Sequence, residues 1–108
     1  MQIERRKMER ALARKGFVEE ESHHRYFYHE HNGKRSGAYT YTSRGKAYKT
    51  YGVALLKRIR SELKLDSIQQ VMDLFKCPMS ASDYNDVLRG KSLLPPSKPS
   101  RNNGGKKR

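Results

Sequence analysis

The histidines of this chain are concentrated in one short segment. The sequence ESHHRYFYHEH, from Glu21 to His31, contains all four of them together with three aromatic residues. An imidazole changes its protonation state near neutral pH, so it can act as a general base or acid, and its neutral form can bind a metal ion. Three interpretations are therefore open: a metal site, a catalytic site, or a β-strand whose polar residues are histidines.

The spacing of these histidines does not favour a metal site. His29 and His31 lie two positions apart and would project from one face of a strand, but their neighbours Glu30 and Asn32 do not complete a zinc site. The chain has no CxxC or HxxxH pair, and its single cysteine, Cys77, is distant in the sequence. We therefore expect no metal ion and no other cofactor, and we interpret Cys77 as a small hydrophobic residue of the core.

Metal-free cleavage of RNA is a reaction that an imidazole among cationic side chains can perform. It requires removal of the 2′-hydroxyl proton, stabilisation of negative charge at the phosphorus centre, and protonation of the leaving 5′-oxygen. Either His24 or His23 can exchange the proton. Cations in and after the segment can stabilise the charge: Arg25, Lys34, Arg35 and Arg44.

Strand alternation bears on the choice between the two histidines. In a regular strand His23 and His29 share one face, whereas His24 shares the other with Tyr26 and Tyr28. If proton transfer needs a second histidine, His29 is the candidate, and its position favours His23. The choice stays open at this point.

The net charge indicates a polyanionic partner. The 108 residues include 24 Lys and Arg against 11 Asp and Glu, for a formal charge of +13. RNA is the expected partner, with DNA open as the alternative. No apolar run approaches the roughly 20 residues of a membrane span, so we expect no membrane contact. A charged segment at Met1–Arg10 predicts no signal peptide, and one cysteine suits the reducing cytoplasm.

The positive charge is densest between Arg25 and Arg60, where Glu30 is the only acid. Six of the seven tyrosines fall in the same region, and aromatic rings can stack on unpaired bases while cations contact phosphates. We predict that nucleic acid is bound by the following residues: Arg25, Lys34, Arg35, Arg44, Lys46, Lys49, Lys57 and Arg58.

The first half of the chain is predicted to contain one helix and three strands. Apolar residues at helical spacing indicate a helix over 4–15 that ends at Gly16. A three-stranded antiparallel meander follows over 17–43. Asn32-Gly33 predicts a type I′ turn between its second and third strands.

The second half is predicted to be helical. Helices are expected over 53–65 and 67–76, with Ser67 as the N-cap of the latter, and a last short helix begins with a capping box from Ser80 to Asp83. The remaining sequence is rich in proline and basic residues, which predicts disorder. We expect three parts: a core over 1–65, a C-terminal helical extension over 66–90 and a disordered basic tail over 91–108.

The order of a helix, a three-stranded meander and a second helix is the α-β-β-β-α topology of folds that resemble double-stranded-RNA-binding domains (dsRBD-like folds). Residues 8–35, MERALARKGFVEEESHHRYFYHEHNGKR, resemble the HicA toxins of bacterial and archaeal toxin–antitoxin modules. Those begin with a helix ending in a GF step, followed by a short strand, a Gly-Ser-His or Gly-Gly-His element and a turn with glycine. The likeness covers about residues 5–64 of this chain.

The resemblance implies a small metal-independent ribonuclease, an mRNA interferase that uses one histidine and is neutralised by a HicB antitoxin. Glu21 stands where the family has a glycine. The family's histidine corresponds to His23 if the Ser-His pair is matched. It corresponds to His24, with Arg25 directly after it, if the distance to the Asn-Gly turn is matched.

A non-catalytic alternative fits the same sequence. On this hypothesis the protein, viral or regulatory, uses the fold as a scaffold for binding nucleic acid. The histidines are then solvent-facing strand residues, and the C-terminal helices make contacts with other proteins. Metal-free degradation of RNA separates the two hypotheses.

Overall fold

The computed structural model describes residues 2–43, 49–76 and 78–95, which form a mixed α+β fold. Within these residues the helices are α1 (Arg5–Arg14), α2 (Val53–Glu62), α3 (Ile68–Phe75) and α4 (Ala81–Gly90). The strands are β1 (Ile3–Glu4), β2 (Phe17–Glu21), β3 (Arg25–His31), β4 (Lys34–Thr42) and β5 (Thr50–Tyr51). The predicted three-stranded antiparallel sheet is confirmed, with the order β2-β3-β4.

Two positive-φ turns connect the elements of the first half. Asn32 (φ 54°) and Gly33 (φ 78°) join β3 to β4, and two central residues in this conformation are what a type I′ turn requires. Gly16 (φ 95°) lies between α1 and β2, where a left-handed residue ends the helix without strain at a Cβ atom. Both turns were predicted from the sequence.

The pairing of β3 with β4 shifts in the middle of the hairpin. Glu30 pairs with Arg35 next to the turn, but Tyr28 pairs with Tyr39. Three residues of β4, 36–38, therefore lie opposite His29 alone. Gly37 (φ 98°) lies within this irregular stretch, where glycine adopts the left-handed conformation at low cost.

Each of the two C-terminal helices begins with a side-chain N-cap. The Ser67 hydroxyl accepts a hydrogen bond from the Gln70 N–H at the start of α3. Ser80 and Asp83 form a reciprocal capping box at the start of α4. Both caps were predicted, because each hydroxyl is spaced to satisfy a backbone donor that a helix start leaves unpaired.

A second, two-stranded sheet was not predicted. Ile3 of β1 pairs with Tyr51 of β5, and the Arg5 N–H donates to the Lys49 carbonyl at 2.8 Å. The Tyr51 hydroxyl accepts from the Ser43 N–H at 3.0 Å. These contacts fix Ser43 and β5 against the start of α1.

All four helices contribute to one hydrophobic core. Its residues come from α1 and the three-stranded sheet (Met8, Leu12, Phe17, Phe27), from α2 (Leu56, Ile59), from α3 (Val71, Leu74, Phe75) and from α4 (Tyr84, Leu88). The Tyr84 hydroxyl also donates to the Leu63 carbonyl at 2.7 Å. Residues 66–90 thus complete the same core that the helix and sheet of the first half begin.

The Lys15 side chain links the two halves of the chain. Its ammonium donates to the carbonyls of Leu74, Lys76 and Met79 at 2.5 to 2.6 Å, at and after the end of α3. A cation at a helix C-terminus is favoured because the last carbonyls are unpaired and carry partial negative charge.

The first residues after α4 also pack against the core. Leu94 is buried, and the Lys91 ammonium pairs with Asp66 at 2.6 Å. The sequence predicted a disordered basic tail from residue 91. Of that segment, residues 96–108 lie outside the described residues, as does Cys77, which we interpreted as a core residue.

Candidate nucleic-acid interface

The three-stranded sheet has two faces with different environments. Its core face packs on the helices, and its open face does not, as the alternation of buried and accessible residues along β3 and β4 shows. The residues of the open face are Val18, Glu20, Tyr26, Tyr28, Glu30, Arg35, Tyr39 and Tyr41. The core face includes Phe17, Phe27, His29, Ala38, Thr40 and Thr42.

His23 and His24 lie together in a bend between β2 and β3. Their ring centroids are 4.6 Å apart, and the bend is closed by a hydrogen bond from the Ser22 N–H to the His24 carbonyl at 2.9 Å. His23 is exposed, and its Nε2 lies 3.4 Å from the Tyr26 hydroxyl. Both candidate histidines are therefore at the same corner of the open face.

His24 forms one end of an aromatic stack. Its ring is stacked on Tyr41 at a centroid distance of 4.9 Å and an interplanar angle of 27°. Its Nδ1 is buried and has no hydrogen-bond partner. Of its two ring nitrogens, only Nε2 is therefore a candidate for contact with a substrate.

His29 occupies the core face and not the corner with His23. It is 1% exposed and lies against the rings of Phe17 and Tyr84 at centroid distances of 5.1 and 5.0 Å. The expectation that His23 and His29 share a face is wrong, because the bend at residues 22–24 breaks the strand alternation on which it depended. His29 is too enclosed to exchange a proton with a substrate.

Both ring nitrogens of His29 are hydrogen-bonded. Nε2 is 3.0 Å from Asn85 Oδ1, an oxygen that only accepts, so Nε2 carries the proton. Nδ1 then accepts from the Ser36 hydroxyl at 2.8 Å, and the Ser36 oxygen accepts from the Ala38 N–H. Burial lowers the pKa of His29 below the usual value for an imidazole, and this outweighs the opposing effect of the bond to Asn85. The neutral ring joins the irregular stretch of β4 to α4.

Four tyrosines form a continuous row on the open face. Tyr26 lies 5.6 Å from Tyr41 and 6.0 Å from Tyr28, and Tyr28 lies 5.8 Å from Tyr39. Sequence reasoning noted the tyrosines of this region but did not include any of them among the predicted site residues. The alternation in YFY and YTY was the signal that could have placed them on one face.

Guanidinium groups lie on two rings of this row. The Arg35 guanidinium carbon lies 3.9 Å from the centroid of Tyr28, and that of Arg58 lies 4.1 Å from the centroid of Tyr41. Arg35 is also paired with Glu20 across the sheet. Arg58 donates to the Tyr41 carbonyl at 2.8 Å. These contacts hold both guanidinium planes against aromatic rings, which is a favourable cation–π arrangement.

The other predicted nucleic-acid-binding residues are dispersed. Arg25 lies on the core side, where it pairs with Glu9 of α1 at 3.2 Å and with Glu21 at 3.7 Å, so it is separated from Arg35 and Arg58. Lys34, Lys49 and Lys57 are exposed. The two remaining predictions, Arg44 and Lys46, lie outside the described residues.

Two partly buried carboxylates support the core face. Glu9 of α1 accepts from the Thr42 hydroxyl at 2.6 Å, and Glu62 of α2 accepts from the Thr40 hydroxyl at 2.7 Å. These bonds satisfy the two buried threonines of β4 and fix both helices to the strand. Glu9 and Glu62 therefore have a structural role in joining the helices to the sheet.

Among the residues that the structure describes, no group of three His, Cys, Asp or Glu side chains could hold a metal ion. In the same part of the chain no helix is long and apolar enough to cross a membrane. No family model matches this chain, and comparisons with curated proteins and with solved structures likewise find no match.

Proposed function

We propose that this protein binds RNA and cleaves it without a metal ion, as a HicA-like mRNA interferase. The observation that carries the proposal is the pair of imidazole rings of His23 and His24, 4.6 Å apart at one corner of the open face. Two imidazoles at one place meet the need for two proton transfers in a single reaction.

One imidazole takes the proton from the 2′-hydroxyl, and the 2′-oxygen attacks the adjacent phosphorus. The bond from phosphorus to the 5′-oxygen then breaks, and the second imidazole, in its protonated form, gives a proton to that oxygen. The products are a 2′,3′-cyclic phosphate and a 5′-hydroxyl. His23 is exposed and can reach solvent, whereas His24 is available only through Nε2.

Arg58 is the cation best located to stabilise charge during this reaction. It lies on Tyr41, the ring on which His24 is stacked, and is also paired with Glu62 at 3.4 Å. Arg25 instead points to Glu9 on the core side, away from His24. A fixed positive charge beside the reacting phosphate stabilises the transition state more than the ground state. The electrostatic role therefore passes from Arg25, the next residue in the sequence, to Arg58 on α2.

The order of elements supports a dsRBD-like version of the fold, with α1, the β2-β3-β4 sheet and α2 as its α-β-β-β-α core. The resemblance of residues 8–35 to HicA toxins adds a HicB-like antitoxin as the proposed partner. A small HicB-like gene adjacent to the gene of this protein is the simplest observation in favour of that partner.

A non-catalytic RNA-binding protein is the second candidate. The observation that favours it is the stacking of His24 on Tyr41 with a buried, unpartnered Nδ1, which suits a ring that continues an aromatic row. In that case the ring of His24 contributes contact surface for RNA and transfers no proton.

The test is degradation of a long unstructured RNA in the presence of EDTA by the wild type and by the variants His23→Ala and His24→Ala. If both imidazoles transfer protons, each variant should lose about 100-fold or more in cleavage rate. The matched control is His31→Ala, a histidine at the opposite end of β3, which should keep the wild-type rate.

The product ends provide a second readout. Cleavage by this route leaves a cyclic phosphate and a 5′-hydroxyl, which kinase labelling of the fragments detects. If the wild type and both variants leave the RNA intact under EDTA while still binding it, the proposal of cleavage fails and the non-catalytic candidate stands.

A further inference from the structure

The aromatic side chains of the open face are partly exposed to solvent. Tyr39 is 40% exposed, and Tyr26, Tyr28 and Tyr41 are only partly buried although each contacts another ring. The four rings form one continuous exposed surface. Single apolar residues scattered over a protein surface are common, but a contiguous patch of this kind indicates a binding site.

The side chains of two arginines that contact the row are partly accessible as well. The side chains of Arg35 and Arg58 are 49% and 31% exposed, although one side of each guanidinium lies on a tyrosine ring. A guanidinium group can act as a stacking surface for a nucleobase and as a donor to phosphate at the same time. The open face therefore offers three flat groups: the ring of Tyr39 at one end of the row, and the guanidinium groups of Arg35 and Arg58.

The charges of the open face are asymmetric across the sheet. The acids of the open face, Glu20 and Glu30, lie on β2 and β3. Its arginine, Arg35, lies near the start of β4, and Arg58 donates to the Tyr41 carbonyl at that edge of the sheet. The pair between Arg35 and Glu20 is exposed, so it contributes little stability and a phosphate can compete for the arginine.

We infer that the open face binds unpaired nucleotides, with bases stacked on Tyr39 and on the guanidinium planes of Arg35 and Arg58. The inference rests on the proposed function in taking RNA as the partner, and it adds that the RNA is single-stranded. A duplex hides its bases in a stack of pairs, so an aromatic sheet face reaches them only when the strand is open. A sheet of this size holds about two or three bases.

The experiment measures binding of a fluorescein-labelled oligouridylate of about ten nucleotides, a length that spans a typical single-strand site. Anisotropy titrations compare the wild type with Tyr39→Leu, which keeps the apolar bulk and loses the ring, and with Tyr39→Phe, which keeps the ring. Gel electrophoresis after each titration verifies that the probe is intact. The matched control is Leu93→Ala, an exposed apolar residue after α4.

We expect Tyr39→Leu to weaken binding by about tenfold, because stacking on one aromatic ring contributes roughly that much per base. Tyr39→Phe and Leu93→Ala should bind as the wild type does. The oligouridylate should also quench the tyrosine fluorescence of the wild type, which no tryptophan masks. A deoxyoligonucleotide of the same length should bind through the same residue, and a matched RNA duplex should not compete.

Different failures have different meanings. If the wild type binds the oligouridylate and Tyr39→Leu binds it equally well, the stacking surface is wrong and RNA binding stands. A preference for the duplex also overturns the inference and leaves RNA binding intact. If neither form of RNA binds, the proposed function fails, and this inference fails with it. Self-association of the wild type that Tyr39→Leu abolishes, without binding of nucleic acid, identifies the face as a protein interface and overturns the inference.

Discussion

On the core face of the sheet, His29 is enclosed by two aromatic rings and hydrogen-bonded at both nitrogens, whereas His24 on the open side lies on Tyr41 with one nitrogen unpaired. The arginines differ in the same way. Arg25 is paired with Glu9 toward the helices, but Arg35 lies on a tyrosine in an exposed position. Residues of one type, a few positions apart, thus stabilise the fold on one face and remain accessible on the other. The following experiments separate these two roles.

The largest effect is expected from His29→Ala. The change removes a buried ring and leaves Ser36 and Asn85 without their partner, so the free energy of unfolding should fall by about 3 kcal/mol. Urea denaturation followed by circular dichroism measures the change. The matched substitution His23→Ala on an exposed residue should change stability by less than about 0.5 kcal/mol. Equal losses from both substitutions would remove the distinction between the two faces.

Adjacent residues of β4 provide a finer comparison. Thr40→Val removes the hydroxyl that donates to the partly buried carboxylate of Glu62, and we expect a loss of about 1.5 kcal/mol in the free energy of unfolding. Tyr39→Phe, one position earlier and on the open face, should change it by less than about 0.5 kcal/mol. Denaturation of the two variants side by side is the measurement, and a larger loss from Tyr39→Phe would contradict the assignment of faces.

The pH dependence of stability should report His29. Its pKa is lowered in the folded protein, so the unfolded chain binds the proton more readily. The stability that this shift contributes is complete above the ordinary imidazole pKa of 6.5 and is lost as the pH falls from there to the folded pKa. Unfolding free energies measured from neutral to mildly acidic pH should decrease in the wild type. The decrease should be smaller in His29→Asn, which cannot titrate, and an identical decrease in both proteins would assign it to other groups.

The smallest effect concerns the two arginines. Arg35→Gln should lower the slope of the logarithm of RNA affinity against the logarithm of salt concentration by about 0.7, the contribution of one phosphate contact on a single strand. Arg25→Gln should leave that slope unchanged, because Arg25 points to Glu9 of α1 on the core side, away from the open face. Affinity titrations over a series of salt concentrations measure both. If the slope changes in Arg25→Gln and not in Arg35→Gln, the phosphates bind on the core side of the sheet and not on its open face.

Local signals predicted most of the secondary structure. Asn32-Gly33, Gly16 and the serines at 67 and 80 each meet a requirement of the backbone within a few residues, so the sequence alone identifies the turns and the helix starts. The strands β1 and β5 contain two residues each, which is too short for a periodic pattern to be detected. Their pairing depends on contacts about fifty positions apart in the sequence.

The candidate site was predicted only in part, because two irregularities intervene. The bend at residues 22–24 moves His23 away from the face that alternation assigns to it. The register shift at Gly37 changes which tyrosines meet: the pairing next to the turn would set Tyr26 opposite Tyr39, whereas the structure pairs Tyr26 with Tyr41. Alternation predicts the face of a residue, but its neighbours across the sheet depend on geometry that the pattern does not contain.

The contacts of Lys15 and α4 have a consequence for how the protein is made. A ribosome delivers the sheet well before it delivers the residues that cover its core face, since Asn85, Tyr84 and Leu94 are among the last of the described residues to be synthesised. Until then Phe17 and His29 face water, and the nascent sheet lacks part of its support. The open face of the sheet therefore gains its full support only after residues 84–94 have been synthesised.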